Sequence, residues 1–357
     1  MGSIMEIDLK TWEERISAKS LHLNSARKMR RLFLEFLDSW NLPNFHQHML
    51  LNKILFLSTK LPNPDRSKLR HVFTRLYSFS PLKQQPLHLE IYIFTAKKDL
   101  ELLDLSIHGA IQSCLNRIAS LTVVAPSGIE LDVDKVFQKC DKRLNIKFLS
   151  DEQLLARFEL EDLEFVRTNI KMEILKVLAT LHSKSEAVLL IDGDTVILRK
   201  LNWITSQKQV VLVAQEYTPE HVSFDKKYLN LKRLSGLGFV THHQVVRRSH
   251  ILELISEKNG LLNFVNCFQS AASDFYSLSG FDFPSEWQLF GDFLLSRYPD
   301  KAVLTPFKNL GLSRGRISDF LENSDRVASV EITRLIKAVP HAASLSFHAY
   351  KDQLSDV

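Results

Sequence analysis

The chain has 357 residues, of which 45% are apolar and 24% charged; this is an ordinary globular balance, long enough for one large domain or two smaller ones. Its cysteines (Cys114, Cys140, Cys267) stand far apart without a CxxC pair, which argues against a disulfide scaffold and a structural zinc site and suits a reducing cytoplasm. The net charge of +5 is uneven: residues 1–85 carry 14 Lys/Arg against 7 Asp/Glu, a net +7, which leaves −2 for the remainder.

Residues 5–60 read as helix, with Leu21, Ala26, Met29, Leu32, Phe33, Phe36 and Leu37 recurring at spacings of three and four. Arg27, Lys28, Arg30 and Arg31 fall on the other side. Such a segment is a solvated helical face or a peripheral contact for an anionic membrane surface. No nucleic-acid motif accompanies the charge, so nucleic acid is not expected as a partner. The first ten residues lack a basic stretch followed by an apolar one, so no leader peptide is expected. No run of about 18 apolar residues exists to span a bilayer. Proline breaks at 61–64 and 80–86 place a domain boundary near residue 86, with a basic helical extension over 1–85 and a second domain over 86–357.

From there strand and helix alternate. Strands are expected at Leu87–Thr95, Leu121–Pro126, Lys147–Leu149 and Val188–Asp192. Helices are expected at Leu100–Leu115, from Asp151 onward, and at about Phe165–His182. Further strands are read at Val210–Ala214, Leu237–Thr241 and Leu345–Tyr350, with a mainly helical stretch over 250–298. These spacings suit βαβ units and a mainly parallel, Rossmann-like α/β sheet flanked by helices. Ligands in such sheets bind at the carboxyl ends of the strands.

One segment lies at such an end. In Val188-Leu189-Leu190-Ile191-Asp192-Gly193-Asp194-Thr195-Val196-Ile197-Leu198 an apolar run meets two carboxylates one residue apart, and an apolar run resumes after them. Hard divalent cations such as Mg²⁺ or Mn²⁺ take oxygen ligands of this kind and bring phosphate with them. Two enzyme classes place Asp-x-Asp after a buried strand. In nucleotide-sugar-dependent glycosyltransferases of the GT-A fold the pair holds a cation on the donor diphosphate. In haloacid-dehalogenase-type phosphatases Asp192 would be the nucleophile and Asp194 the general acid. The phosphatase motif normally sits on the first strand of its domain, whereas three strand–helix segments precede this one. Downstream, Gly291-Asp292 is the nearest approach to the phosphatase's acidic metal motif, with no second Asp close behind. The glycosyltransferase reading is therefore preferred. A capped turn on a core strand, or a catalytically silent nucleotide-sugar-binding module, remains beside it.

Three segments carry a family resemblance: Val188 to Lys200, Gly238-Phe239-Val240-Thr241-His242-His243-Gln244, and Pro284-Ser285-Glu286-Trp287-Gln288-Leu289-Phe290-Gly291-Asp292-Phe293. Their order and content over residues 87–350 resemble the DUF6492-type group of bacterial glycosyltransferases with a GT-A fold. The resemblance implies a GT-A-like domain, a nucleotide-sugar donor, Mn²⁺ or Mg²⁺, and a glycan or glycolipid acceptor in surface polysaccharide synthesis. The cysteine pattern adds the expectation of a cytoplasmic enzyme, which the basic N-terminal part would hold near a membrane-bound acceptor at the inner face of the membrane. The helix before the acidic pair departs from the group's Gln-rich, Lys-bearing pattern. It reads Arg167-Thr168-Asn169-Ile170-Lys171, and the phosphate role would fall to Lys171.

Site expectations follow. Asp192 and Asp194 hold the cation, Asp194 more directly, with Asp192 as an alternative ribose contact. Gly193 lets the backbone approach the ligand closely. Thr195 binds phosphate or caps the turn. His348, after an apolar run, is a third metal ligand or an ordinary polar residue at a strand end. Glu286, just after Pro284, places a carboxylate at a helix N-terminus, as acceptor-site base or as a helix start with a favourable dipole; Asp292 is the reserve. Only one of His242 and His243 can enter the site from a strand, and the expectation falls on His243. Thr95, Lys97 and Asp99 follow the first strand, where a nucleobase and ribose would lie. Arg314 and Arg316 form a glycine-flanked basic loop that would close over the diphosphate or lie as a surface loop.

Overall fold

The computed structural model describes residues 86–140, 145–214, 219–231, 238–279, 284–306, 309–314, 328–339 and 342–348. The basic segment 1–85 and Arg316 lie outside them. Five strands form the main sheet: β1 (Leu89–Phe94), β2 (Ile118–Ala125), β3 (Ile146–Ser150), β4 (Ala187–Asp192) and β7 (His243–Arg247), in the order β3-β2-β1-β4-β7. The first four are mutually parallel, and β7 runs antiparallel at the edge beside β4. The expected class, an α/β fold with a mainly parallel sheet flanked by helices, is the one observed.

The central strands explain this arrangement. β4 reads Ala-Val-Leu-Leu-Ile and is buried along its length until Asp192, while β1 is buried except at Glu90. A strand apolar on both faces needs cover on both, as parallel sheets with crossover helices provide. On one face Tyr92, Phe94, Val188 and Leu190 pack with helix α4 (Thr168–His182), α7 (Leu261–Ser279) and α8 (Glu286–Arg297), through Ile174, Leu178, Phe264, Phe268, Leu289 and Phe293. On the other, Leu89, Ile91, Ile93, Leu189 and Ile191 meet α1 (Leu100–Ser113), through Leu103, Ile107 and Ala110, together with Trp203. α3 (Asp151–Ala156) begins in a capping box. The Ser150 hydroxyl accepts the Gln153 amide, and the Gln153 side chain accepts the Ser150 amide.

Among the described residues two smaller sheets accompany the main one. β5 (Thr195–Ile197) pairs antiparallel with β10 (Ser344–His348), and β10 pairs in parallel with β9 (Asn309–Ser313). β6 (Gln209–Val213) pairs in parallel with β8 (Ala302–Pro306). α9 (Ala328–Ala338) packs Ile332 and Leu335 against Val196, Leu345 and Phe347.

The segment Leu237–Thr241, read above as a strand, is not one over its described residues. Gly238 makes an isolated antiparallel bridge to Ala214, and pairing with β4 starts at His243. His242 has φ 61°, in the left-handed region, so the chain turns there before it can lie along β4. The chain order β1, β2, β3 builds outward on one side, and β4 then joins the other side of β1. The carboxyl ends of β1 and β4 therefore flank the switch point where α/β sheets hold ligands.

Candidate functional site

Phe94 and Asp192 are register partners at that switch point. The Gly193 amide donates to the Phe94 carbonyl at 2.6 Å. A Cβ at Gly193 would come within 2.7 Å of that oxygen and 2.8 Å of Thr95 Oγ1, so only glycine passes this close to the end of β1. Thr95 is buried against the turn. Helix α1 fixes the turn from below: the Ser106 hydroxyl shares its proton between the Gly193 carbonyl (2.9 Å) and the Thr195 carbonyl (2.7 Å). Thr195 is fully buried, and its hydroxyl lies 2.7 Å from Ser346 Oγ and 3.3 Å from Asp194 Oδ1. It holds the turn to β10 from inside.

The strand β10 brings His348 to Asp194. The Phe347 amide donates to the Asp194 carbonyl at 3.0 Å, and His348 Nδ1 lies 3.5 Å from Asp194 Oδ2. Neighbouring ligands on one octahedral cation stand about 3 Å apart at metal–ligand bonds of about 2.1 Å. At 3.5 Å the carboxylate oxygen and the imidazole nitrogen stand wider than that and would have to draw together to share one cation. Among the described residues no group of three or more His, Cys, Asp or Glu is placed to hold a metal.

Asp192 does not join that pair as placed, because both its oxygens are engaged. Oδ1 accepts from Lys176 Nζ at 2.7 Å, and Oδ2 lies 3.0 Å from His242 Nδ1. Burial works to raise the Asp192 pKa, but Lys176 and His242 outweigh it and hold the carboxyl below the usual range. Burial likewise opposes protonation of His242, and the Asp192 carboxylate outweighs it, so the His242 pKa is raised. Asp192 also donates its amide to the His242 carbonyl at 2.9 Å, which braces the left-handed backbone there. The ring of His242 lies 4.8 Å from that of His348.

Lys176 is the residue that sequence reasoning missed. It is buried on α4, ion-pairs with Glu286 as well as Asp192, and sits 4.3 Å over the Trp287 ring. The signal for it was present. On a helix with Ile170, Ile174, Leu175, Val177 and Leu178 buried, the polar residues Asn169, Glu173, Lys176 and Thr180 recur at spacings of four, three and four along one face. Lys171 falls off that face. It pairs with Asp151 at 2.6 Å, beyond the end of β3, and the structure does not bring it to Asp192.

Glu286 opens α8 as expected, but its carboxylate turns inward onto Lys176 and is fully buried. The Ser285 side chain does not cap the helix; Glu173 Oε2 accepts the Glu286 amide at 3.1 Å instead. Asp292 is buried nearly two turns further along α8 and accepts from Gln288 Nε2 at 2.9 Å. Neither carboxylate is placed where an acceptor could reach it.

His243 points the opposite way from His242. It is fully buried, edge-on to Trp203 with ring centroids 5.8 Å apart. Burial, followed by the nearby His242 charge, pushes its pKa down to about 3. So one histidine of the two does face the acidic pair, and it is His242. Asp99 pairs with Arg314, which also approaches the Phe347 carbonyl at 3.5 Å. Burial and then the Asp194 charge raise the Asp99 pKa, while Arg314 opposes them. The structure thus gathers Thr95, Asp99, Asp192, Gly193, Asp194, Arg314 and His348 around one sheet end, and leaves Lys171, His243 and Asp292 away from it.

No protein-family model matches the chain, and no curated protein matches it. Among solved structures it is similar to a galactosyltransferase, LgtC, in complex with donor and acceptor sugar analogs. The identity there is 12% over 72% of this chain and 87% of that one, with a TM-score of 0.40. It is also similar to mouse xyloside xylosyltransferase 1, at 12% identity over 74% of this chain and 99% of that one, TM-score 0.42. A third is the bifunctional glycosyltransferase WbbM, at 11% identity over 76% of this chain and 47% of that one, TM-score 0.41. At this level of likeness none of them sets a residue's role here.

Proposed function

We propose that the chain is a cation-assisted glycosyltransferase with a GT-A-like fold, which moves a sugar from a nucleotide-sugar donor to a hydroxyl of a glycan or glycolipid. The observation that carries this reading is the Asp194–His348 pair, laced together by main-chain bonds at the switch point and flanked by Asp192. The DUF6492-type segments quoted above add support, and with them a setting in bacterial surface polysaccharide synthesis.

Asp194 and His348 would hold Mn²⁺ or Mg²⁺ against the donor diphosphate. The cation, when bound, neutralises the charge that grows on the leaving nucleoside diphosphate. The chain's own residues do the rest. Thr95 and the Gly193 backbone form the floor at the end of β1, where the nucleoside approaches. Lys176 and His242 fix the Asp192 carboxylate, so that its remaining lone pairs meet donor hydroxyls in one orientation. Arg314, tethered to Asp99, stands beside the same turn and presents a guanidinium for phosphate.

The phosphatase alternative gains nothing from the structure. Asp192, its required nucleophile, has both oxygens held by cationic side chains.

The test is thermal denaturation of the full chain with UDP or GDP, with and without Mn²⁺. Stabilisation that needs both nucleotide and cation is expected, through linkage to the folded state. The Asp194→Ala variant should stay folded and lose that shift. An unchanged shift in Asp194→Ala, or an equal shift in excess chelator, would sink the reading.

A further inference from the structure

We propose that Glu173 is the carboxylate that takes the proton from the attacking acceptor hydroxyl. This rests on the glycosyl-transfer reading above and adds the group on which an inverting reaction turns. In the step, the acceptor oxygen forms a bond to the anomeric carbon. The bond from that carbon to the diphosphate oxygen breaks, and its electron pair leaves with the nucleoside diphosphate. The hydroxyl proton passes to Glu173.

The argument is one of placement. α4 leads into β4, and Lys176 from this helix reaches Asp192 at the end of that strand. Glu173 lies one turn before Lys176 on the same face, towards the helix start. It is half-buried, and its Oε2 is fixed by the Glu286 amide at 3.1 Å. Among the described residues Oε1 takes no hydrogen bond. The other carboxylates around the sheet end are committed: Asp192 to Lys176 and His242, Glu286 to Lys176, Asp99 to Arg314, Asp151 to Lys171, Asp194 towards His348. Glu173 therefore combines one anchored oxygen, which sets its direction, with one oxygen left for a ligand.

Its electrostatic setting suits the task. The groups that face it are Lys176 from its own helix, Asp192 from β4 and His242 from the turn before β7, with the Glu286 amide at the start of α8. Burial, then the Asp192 charge, pushes its carboxyl up to about 8 against the pull of Lys176 and His242. A base is most effective with a pKa near the working pH.

The Glu173→Gln variant tests this, because a glutamine oxygen still accepts the Glu286 amide and preserves the fold. The probes are UDP-glucose, UDP-galactose and GDP-mannose with Mn²⁺ and methyl glycosides as acceptors. Wild-type kcat should rise with pH through the region of about 8. In Glu173→Gln kcat should fall by about 10²–10⁴-fold, lose that rising limb and leave donor affinity as it was. Glu173→Asp should recover part of the rate, and NMR of the product should show inverted anomeric configuration. A Glu173→Gln variant with wild-type kcat and pH profile, or a product that retains configuration, would overturn the proposal and leave the glycosyltransferase reading standing. A wild-type chain that turns over none of these donors and binds neither UDP nor GDP with Mn²⁺ would overturn both.

Discussion

Lys176 decides the electrostatics of the site. One ammonium serves two carboxylates, Asp192 and Glu286, in a setting where the lysine and Glu286 are nearly closed to water. Deleting one partner of such a buried arrangement leaves a charge without compensation and costs about 3–5 kcal/mol. Lys176→Met should therefore lower the thermal midpoint sharply. The double variant Lys176→Met/Glu286→Gln should regain much of that stability, since it removes the orphaned charge together with its partner. A double variant no more stable than the single one would show that the lysine acts through packing on Trp287 instead. This residue also marks where reading the sequence stopped short. The acidic pair was legible because apolar residues frame it. Lys176 was not, because a lysine inside an apolar helix looks like a solvated side chain until Glu173, three residues back, and Thr180, four ahead, are seen to continue a polar face.

At the scale of elements, α8 is unusual in being buried over Glu286–Leu295, polar residues included. It threads the interior rather than covering it, and Gly291 lets it do so. A Cβ there would stand 2.3 Å from the ring of Phe239, itself fully buried. Neither the helix nor the ring has room to yield cheaply. Gly291→Ala should cost about 1–3 kcal/mol as overpacking, read as a lower urea midpoint. Because Glu286 rides on the same helix, the change should also weaken nucleotide binding, measured by calorimetry with Mn²⁺. Unchanged stability would mean that α8 sits further from Phe239 than described. The helices and central strands were readable from their periodicity. β5, β8 and β9 were not, because short strands that pair with distant segments leave little local pattern. His242 and His243 illustrate the boundary between the two. Alternation says that one of them enters the site, but a single left-handed residue determines which.

For the molecule as a whole, two buried histidines among the described residues work against the fold in acid. Burial, with the neighbouring His242 charge, holds His243 at about 3, and burial, with Arg247 beyond it, holds His250 at about 4, against 6.5 for an ordinary histidine. Both pKa values are depressed in the folded state, so the unfolded chain binds more protons through this range. The stability they contribute is complete above pH 6.5 and is lost as pH falls from there towards 3. Urea midpoints measured from pH 7 to pH 4 should drop, and His243→Phe, which keeps a ring against Trp203, should flatten the drop. An equally steep profile in that variant would assign the acid lability to other groups. The overall class was legible from the alternation of strand and helix, while the antiparallel edge strand and the joining of β10 to the acidic turn pair segments too distant in sequence to leave a local pattern. That joining has a further consequence in time. The bonds that place His348 on Asp194 span about 150 residues of chain, as the Thr195–Ser346 contact does at a separation of 151. Loop closure over such a length is paid before any contact rewards it. On refolding, helical signal and burial of the central strands should precede competence for Mn²⁺, which makes the cation a clock for the last strand to arrive.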